Sequence, residues 1–92
     1  MPQICLTGTI TCTIQEIDIL RNALPEHIRL TRAERGCLYF AVTQDVRDPT
    51  VFHVEERFAD QAAFDAHQAR TKSTTWFTAT QHMTRNYEIR LD

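Results

Sequence analysis

Between residues 3 and 11 (QICLTGTIT) apolar and polar positions alternate: Ile4, Leu6, Gly8 and Ile10 share one parity, Cys5, Thr7 and Thr9 the other. Period two with β-branched residues predicts a strand with one apolar face. From about residue 14 the period lengthens. Ile17, Leu20, Leu24, Ile28 and Thr31 recur at three- and four-residue steps, the stripe of an amphipathic helix. Thr13 followed by Glu16 fits a capping box at its start. Pro25 lacks the amide that a helix interior uses. It predicts a kink, or two short helices, one ending near Ala23 and one carrying Pro25 in its first turn. Gly36, after Arg35, is the expected left-handed cap.

The alternation then returns. Residues 37–44 (CLYFAVTQ) predict a second strand with Leu38, Phe40 and Val42 on one face. The run Asp45-Val46-Arg47-Asp48-Pro49 is a turn, and 51–58 (VFHVEERF) is a third strand pairing with the second as a hairpin. Its apolar parity holds Phe52, Val54, Glu56 and Phe58. Asp60 caps a helix over about 61–70 with Ala63, Phe64 and His67 on one side. Residues 71–75 break the pattern before a short helical stretch around Trp76, Phe77 and Thr80. The run 83–91 is a fourth strand, with Tyr87, Ile89 and Leu91 alternating.

Strand, helix, strand, strand, helix, strand is the order of an α+β, ferredoxin-like βαββαβ sandwich. Right-handed crossovers put both helical regions on one face of a four-stranded antiparallel sheet. The other face is bare. It carries Cys5, Thr7, Thr9, Tyr39, Ala41, His53 and Glu55, small and aromatic groups that can stay wet or close on a second copy.

Composition narrows the function classes. At 92 residues the chain is expected to form one domain, 1–92, with one modest core. Ten basic against twelve acidic residues, a net charge of −2, leave no basic footprint for nucleic acid and no polybasic membrane patch. No apolar run approaches the ~18 residues of a membrane helix. The N-terminal sequence lacks the pattern of a secretion signal, so a cytoplasmic address is the expectation. Cys5, Cys12 and Cys37 form no metal-binding spacing and read as free thiols. Metal, nucleotide and flavin motifs are absent from the sequence.

Two polar residues stand on apolar faces. Glu56 points under the helices by parity. There it is either satisfied by helix-start amides or by an Arg such as Arg32 or Arg85, or kept to orient a histidine or a substrate hydroxyl. His67 shares a helical face with Ala63 and Phe64, so its imidazole either completes the core or meets Glu56 across the sheet–helix gap. A His–carboxylate pair fixes a tautomer and supplies a base near neutral pH. Phe40, Trp76 and Phe77 converge on the same layer, as core or as the walls of a slot for an aromatic ligand. His27 lies beside the first helical stripe and can line that slot. His53 and His82 read as surface residues.

The segment TRAERGCLYFAVTQDVRDPTVFHVEERFADQAAFDAHQART resembles the antibiotic biosynthesis monooxygenase family of the dimeric α+β barrel group, which includes quinol monooxygenases. The carrying elements are Glu34-x-Gly36-Cys37, Gln44-Asp45, Asp48-Pro49, Glu56-x-Phe58-x-Asp60 and Ala63-Phe64-x-x-His67. The resemblance implies a ferredoxin-like protomer that dimerises through its sheets, with a pocket between sheet and helices. It implies oxidation of quinol-like or polyphenolic aromatics by O2 with no cofactor. The family's helix histidine falls on His67 and its strand carboxylate on Glu56. Trp76, Phe40, Phe58, Phe64, Phe77 and His27 are the expected substrate-binding residues. Gly8 stands where haem-degrading relatives carry an amide, a departure that points away from them. An isomerase or a non-catalytic ligand-binding protein of the same fold is the alternative. A structural module would need no buried Glu–His pair.

Overall fold

The computed structural model describes residues 2–92. Strand β1 (Ile4–Thr11) leads through a 3-10 turn (Ile14–Glu16) into α1 (Ile17–Arg32). The hairpin β2 (Cys37–Gln44) and β3 (Val51–Phe58) follows, then α2 (Gln61–Thr71), α3 (Thr75–Thr80) and β4 (Thr84–Leu91). The sheet order is β2-β3-β1-β4, all antiparallel, the arrangement of a ferredoxin-like sandwich.

The parities predicted from sequence place the core. Ile4, Leu6, Ile10, Phe52, Val54 and Phe58 are buried on the helix-covered face, with Phe40 and Val42 beside them and Leu20 of α1 above. Burying each of these large side chains contributes roughly 1.5–3 kcal/mol. Asp60 starts α2 as an N-cap, its Oδ1 accepting the Ala63 amide at 2.8 Å. Glu16 accepts the Thr13 amide at 2.9 Å, so the capping pair forms, although it closes the 3-10 turn rather than α1 itself.

Three expectations are corrected. Helix α1 is one element through Pro25, not the two short helices that were one of the expected alternatives. Pro25 and Arg21 both face solvent, so the Arg21 carbonyl that loses its donor is open to water. The face α1 buries is Leu20, His27 and Thr31, while Ile17, Leu24 and Ile28 flank it half-buried, so His27 sits centrally rather than beside the stripe. Leu38 does not join Phe40 and Val42. The β2–β3 register shifts between Cys37 and Tyr39, a bulge that turns Leu38 out to solvent. The alternating Tyr87, Ile89 and Leu91 lie on the helix side of the sheet, opposite Gly8, Leu6 and Ile4, yet remain exposed. The helices pack over β2 and β3 and leave the β4 edge uncovered.

Two glycines are required where they stand. Gly36 has φ +87°, and a Cβ there would lie 2.5 Å from the Ala63 Cβ. It lets α2 pack directly on the turn that follows α1. At Gly8 a Cβ would lie 2.0 Å from the Asn86 carbonyl oxygen and 2.8 Å from the Tyr87 ring. The missing side chain at this position is what makes room for Tyr87.

Candidate functional site

A cavity of about 330 Å³ lies between the sheet and the helices. Every helix and every strand contributes to its wall. His27 comes from α1, Phe40 from β2, Glu56 from β3, His67 and Thr71 from α2, Trp76 and Phe77 from α3, and Arg85 and Tyr87 from β4. The structure thus brings together His67, Glu56, His27, Phe40, Trp76 and Phe77. Phe58 and Phe64 stand outside the wall. Phe58 packs behind the His67 ring at 4.9 Å, and Phe64 packs edge-on against Phe58 at 5.7 Å.

His67 is 3% exposed and held by a residue the sequence reading placed only in a turn motif. Its Nδ1 lies 2.8 Å from Oε1 of Glu34, not against Glu56. Glu34 is itself bonded by the Arg70 guanidinium, whose Nη2 also donates to Thr31 Oγ1 at 3.2 Å. A carboxylate held by Arg70 can only accept, so Nδ1 carries the ring proton and Nε2 presents its lone pair to the cavity. Burial pushes the His67 pKa down, against an opposing pull from Glu34. The imidazole is therefore a neutral base at physiological pH.

Glu56 is buried, and neither expected arginine reaches it. Arg32 donates to the Phe40 carbonyl at 3.0 Å, and Arg85 donates to the carbonyl and hydroxyl of Thr80 at 2.6 and 2.8 Å. Oε1 of Glu56 has no hydrogen-bond partner among the described residues. It lies 3.8 Å from Nε2 of His67, beyond hydrogen-bond length. Burial first, then the charge of Glu34, pushes its pKa up to about 7. Nε2 and Oε1 thus form a pair of proton acceptors facing one space, with the carboxyl poised to hold or release a proton near neutrality.

The rings form a flat wall beside this pair. His27 stacks on Trp76 at 4.5 Å and 4°, and meets Phe40 edge-on at 5.3 Å. Burial, with the nearby His67, Arg70 and Arg85, lowers the His27 pKa to about 3, so it stays neutral and serves as an aromatic plate. His53 and His82 lie at the surface, paired with Asp45 and Glu16.

Sequence reasoning missed Thr71, Lys72 and Tyr87 as neighbours of the site. Arg85 was expected there as a partner of Glu56, but lines the cavity bonded to Thr80 instead. Glu34 left a weaker signal, as the carboxylate two residues before the Gly36 turn. Among the described residues no group of three His, Cys, Asp or Glu is arranged to hold a metal ion, and no helix is long and apolar enough to cross a membrane.

A family profile described as antibiotic biosynthesis monooxygenase matches residues 4–79. The crystal structure of a Deinococcus radiodurans protein, named as a candidate antibiotic biosynthesis monooxygenase, superposes with a TM-score of 0.82 at 26% identity, over 95% of this chain and 89% of that one. A Pseudomonas aeruginosa protein superposes at 0.75 and 26% identity, over 100% and 93%. A Nitrosomonas europaea protein, also named as a candidate member, shares the fold at 0.82 with 16% identity, over 98% and 88%. No curated protein matches the sequence significantly.

Proposed function

Since the chain belongs to the antibiotic biosynthesis monooxygenase family, we propose that it oxidises a quinol-like or polyphenolic aromatic with O2, using no cofactor. One observation carries the reading. The Nε2 lone pair of His67 and Oε1 of Glu56, 3.8 Å apart, share the wall of an aromatic-lined cavity of about 330 Å³.

The chemistry asks little of the protein. A substrate ring lies along the His27–Trp76 wall, and one hydroxyl donates to His67 Nε2. Removal of that proton leaves a phenolate able to pass one electron to O2, giving an aryloxyl radical and superoxide. Their coupling forms a carbon–oxygen bond. Cleavage of the O–O bond then releases the second oxygen as water, and the ring is left as a hydroxylated quinone. A quinol and O2 thus become a hydroxyquinone and water, with all electrons supplied by the substrate. Glu56, with its pKa raised to about 7, can deliver a proton to the departing oxygen. Phe40, Trp76 and Phe77 limit bulk water at the radical stage.

The test is O2 uptake with reduced quinones in chelator-treated buffer, with mass spectrometry after reaction under isotopically heavy dioxygen. Expected are one labelled oxygen in the product and a loss of about 100-fold or more in His67→Ala, its circular dichroism unchanged. The same two bases also suit an enolising isomerisation, so turnover with no label would replace the oxygenase reading with that one. An unchanged rate in His67→Ala would remove His67 from the mechanism. Stoichiometric iron or copper in the active protein would overturn the cofactor-free step.

The bare sheet face, with Thr7, Thr9, Tyr39, Ala41, His53 and Glu55 around a shallow concavity, is the surface we assign to a homodimer. A sedimentation mass of one chain at micromolar concentration would refute the dimer.

A further inference from the structure

Three buried side-chain atoms lack a hydrogen-bond partner among the described residues: His27 Nδ1, Glu56 Oε1 and Thr71 Oγ1. All three residues line the one cavity described above. Unpaired buried polar atoms are scarce in native proteins, because each keeps its desolvation cost without compensation. Their convergence marks a wall arranged for a ligand with several hydroxyls rather than for an apolar ring alone.

The charges around the same cavity are unequal. Among the described residues Glu56 is its only acidic lining residue, and it is buried. The lining also includes Lys72 and Arg85. Lys72 is the only lysine of the chain. It is exposed, and it forms no ion pair among the described residues. Arg85 is half-buried, its Nη1 and Nη2 already committed to Thr80, so it is fixed in place and offers little further bonding. The cavity therefore offers one unengaged ammonium and one anchored guanidinium, which suits a single carboxylate better than a doubly charged group.

We infer that the ligand of this cavity is an aromatic acid, a polyhydroxylated ring carrying one carboxylate, with Lys72 and Arg85 as the residues that select the charge. The inference rests on the reading that an aromatic diol occupies the cavity, and it adds the chemical class of that substrate. Lys72 also caps the C-terminal end of α2, where a cation favours the helix dipole. A ligand ratio, not stability, is therefore the measure of its role.

Anaerobic calorimetric titration of the intact protein with gentisate and with hydroquinone, the same diol without the carboxylate, tests it. Gentisate is expected to bind about tenfold more tightly at neutral pH. In Lys72→Met the gentisate-to-hydroquinone affinity ratio is expected to fall about fivefold, the scale of a partly exposed ion pair. Raising the salt concentration is expected to weaken gentisate alone. Hydroquinone binding as tightly as gentisate, or an unaltered ratio in Lys72→Met, would overturn the inference. The two proposals fail separately. Selective gentisate binding without O2 uptake keeps the acid site and removes the oxygenase, while O2 uptake without selectivity does the reverse.

Discussion

Replacing Glu56 by Gln should stabilise the protein in alkali and leave it unchanged in acid. Glu56 is 7% exposed and its Oε1 has no partner among the described residues. An unfolded chain ionises it near 4.5, whereas the folded chain holds the proton to about 7. Below 4.5 both states are protonated, and the group contributes no pH dependence. Between the two values the unfolded chain releases its proton first, so stability falls as pH rises. Above 7 the loss is complete. A gap from 4.5 to about 7, at ~1.4 kcal/mol per unit, amounts to about 3 kcal/mol. Gln keeps the volume and cannot ionise, so the mutant escapes that loss. With a urea m-value of about 1–1.5 kcal/mol/M, the midpoint of Glu56→Gln should exceed that of the parent by about 2–3 M at pH 8.5. At pH 4 the two should nearly coincide. Protein concentration is held fixed, so that any subunit association weighs equally on both. Titrating groups away from this cavity are common to the two chains and cancel in the difference. A shift of equal size at both pH values, or a lower midpoint at pH 8.5, would refute the buried, unpaired carboxyl.

Three further outcomes follow from the geometry. Glu34→Gln keeps the size but can present its amide to His67 and releases the tautomer; kcat should fall about tenfold or more with KM nearly unchanged and the pH–rate profile displaced, as steady-state kinetics across pH will show. Because the folded pKa of His27 is lowered from 6.5 to about 3, its contribution is fully present above 6.5 and is lost as pH falls. Relative to His27→Phe, the parent should lose about 3 kcal/mol between pH 7.5 and 4.5, measured by paired urea titrations. Gly8→Ala drives a methyl into the Asn86 carbonyl oxygen and the Tyr87 ring, and should cost about 2 kcal/mol or more, with faster hydrogen exchange along β4 as the direct sign.

The covered face of the sheet was legible because parity is local. Ile4, Leu6, Phe52, Val54, Glu56 and Phe58 are placed by alternation alone, and a pleated strand has only two faces. The same argument put Glu56 under the helices and His67 on the inner side of α2, and both stand there. It could not say what they touch. Glu34 and His67 are 33 residues apart, and they meet because Gly36 allows α2 to pack on the turn after α1. No periodicity carries that contact. Leu38 shows the limit within a strand, since one inserted residue at the bulge reverses its parity without any sequence signal.

From its sequence alone this protein determined its element order, its buried parity and the identity of two polar groups on the inner face. These follow from periodicity, capping and turn chemistry, which act over a few neighbouring residues. The tertiary structure decided the rest: that Glu34 and not Glu56 holds the His67 tautomer, that Gly8 admits Tyr87 to the cavity wall, and that Lys72 and Arg85 join the same lining. Those are contacts between distant segments, fixed by how three helices settle on one sheet, and only packing in three dimensions brings their atoms within bonding range.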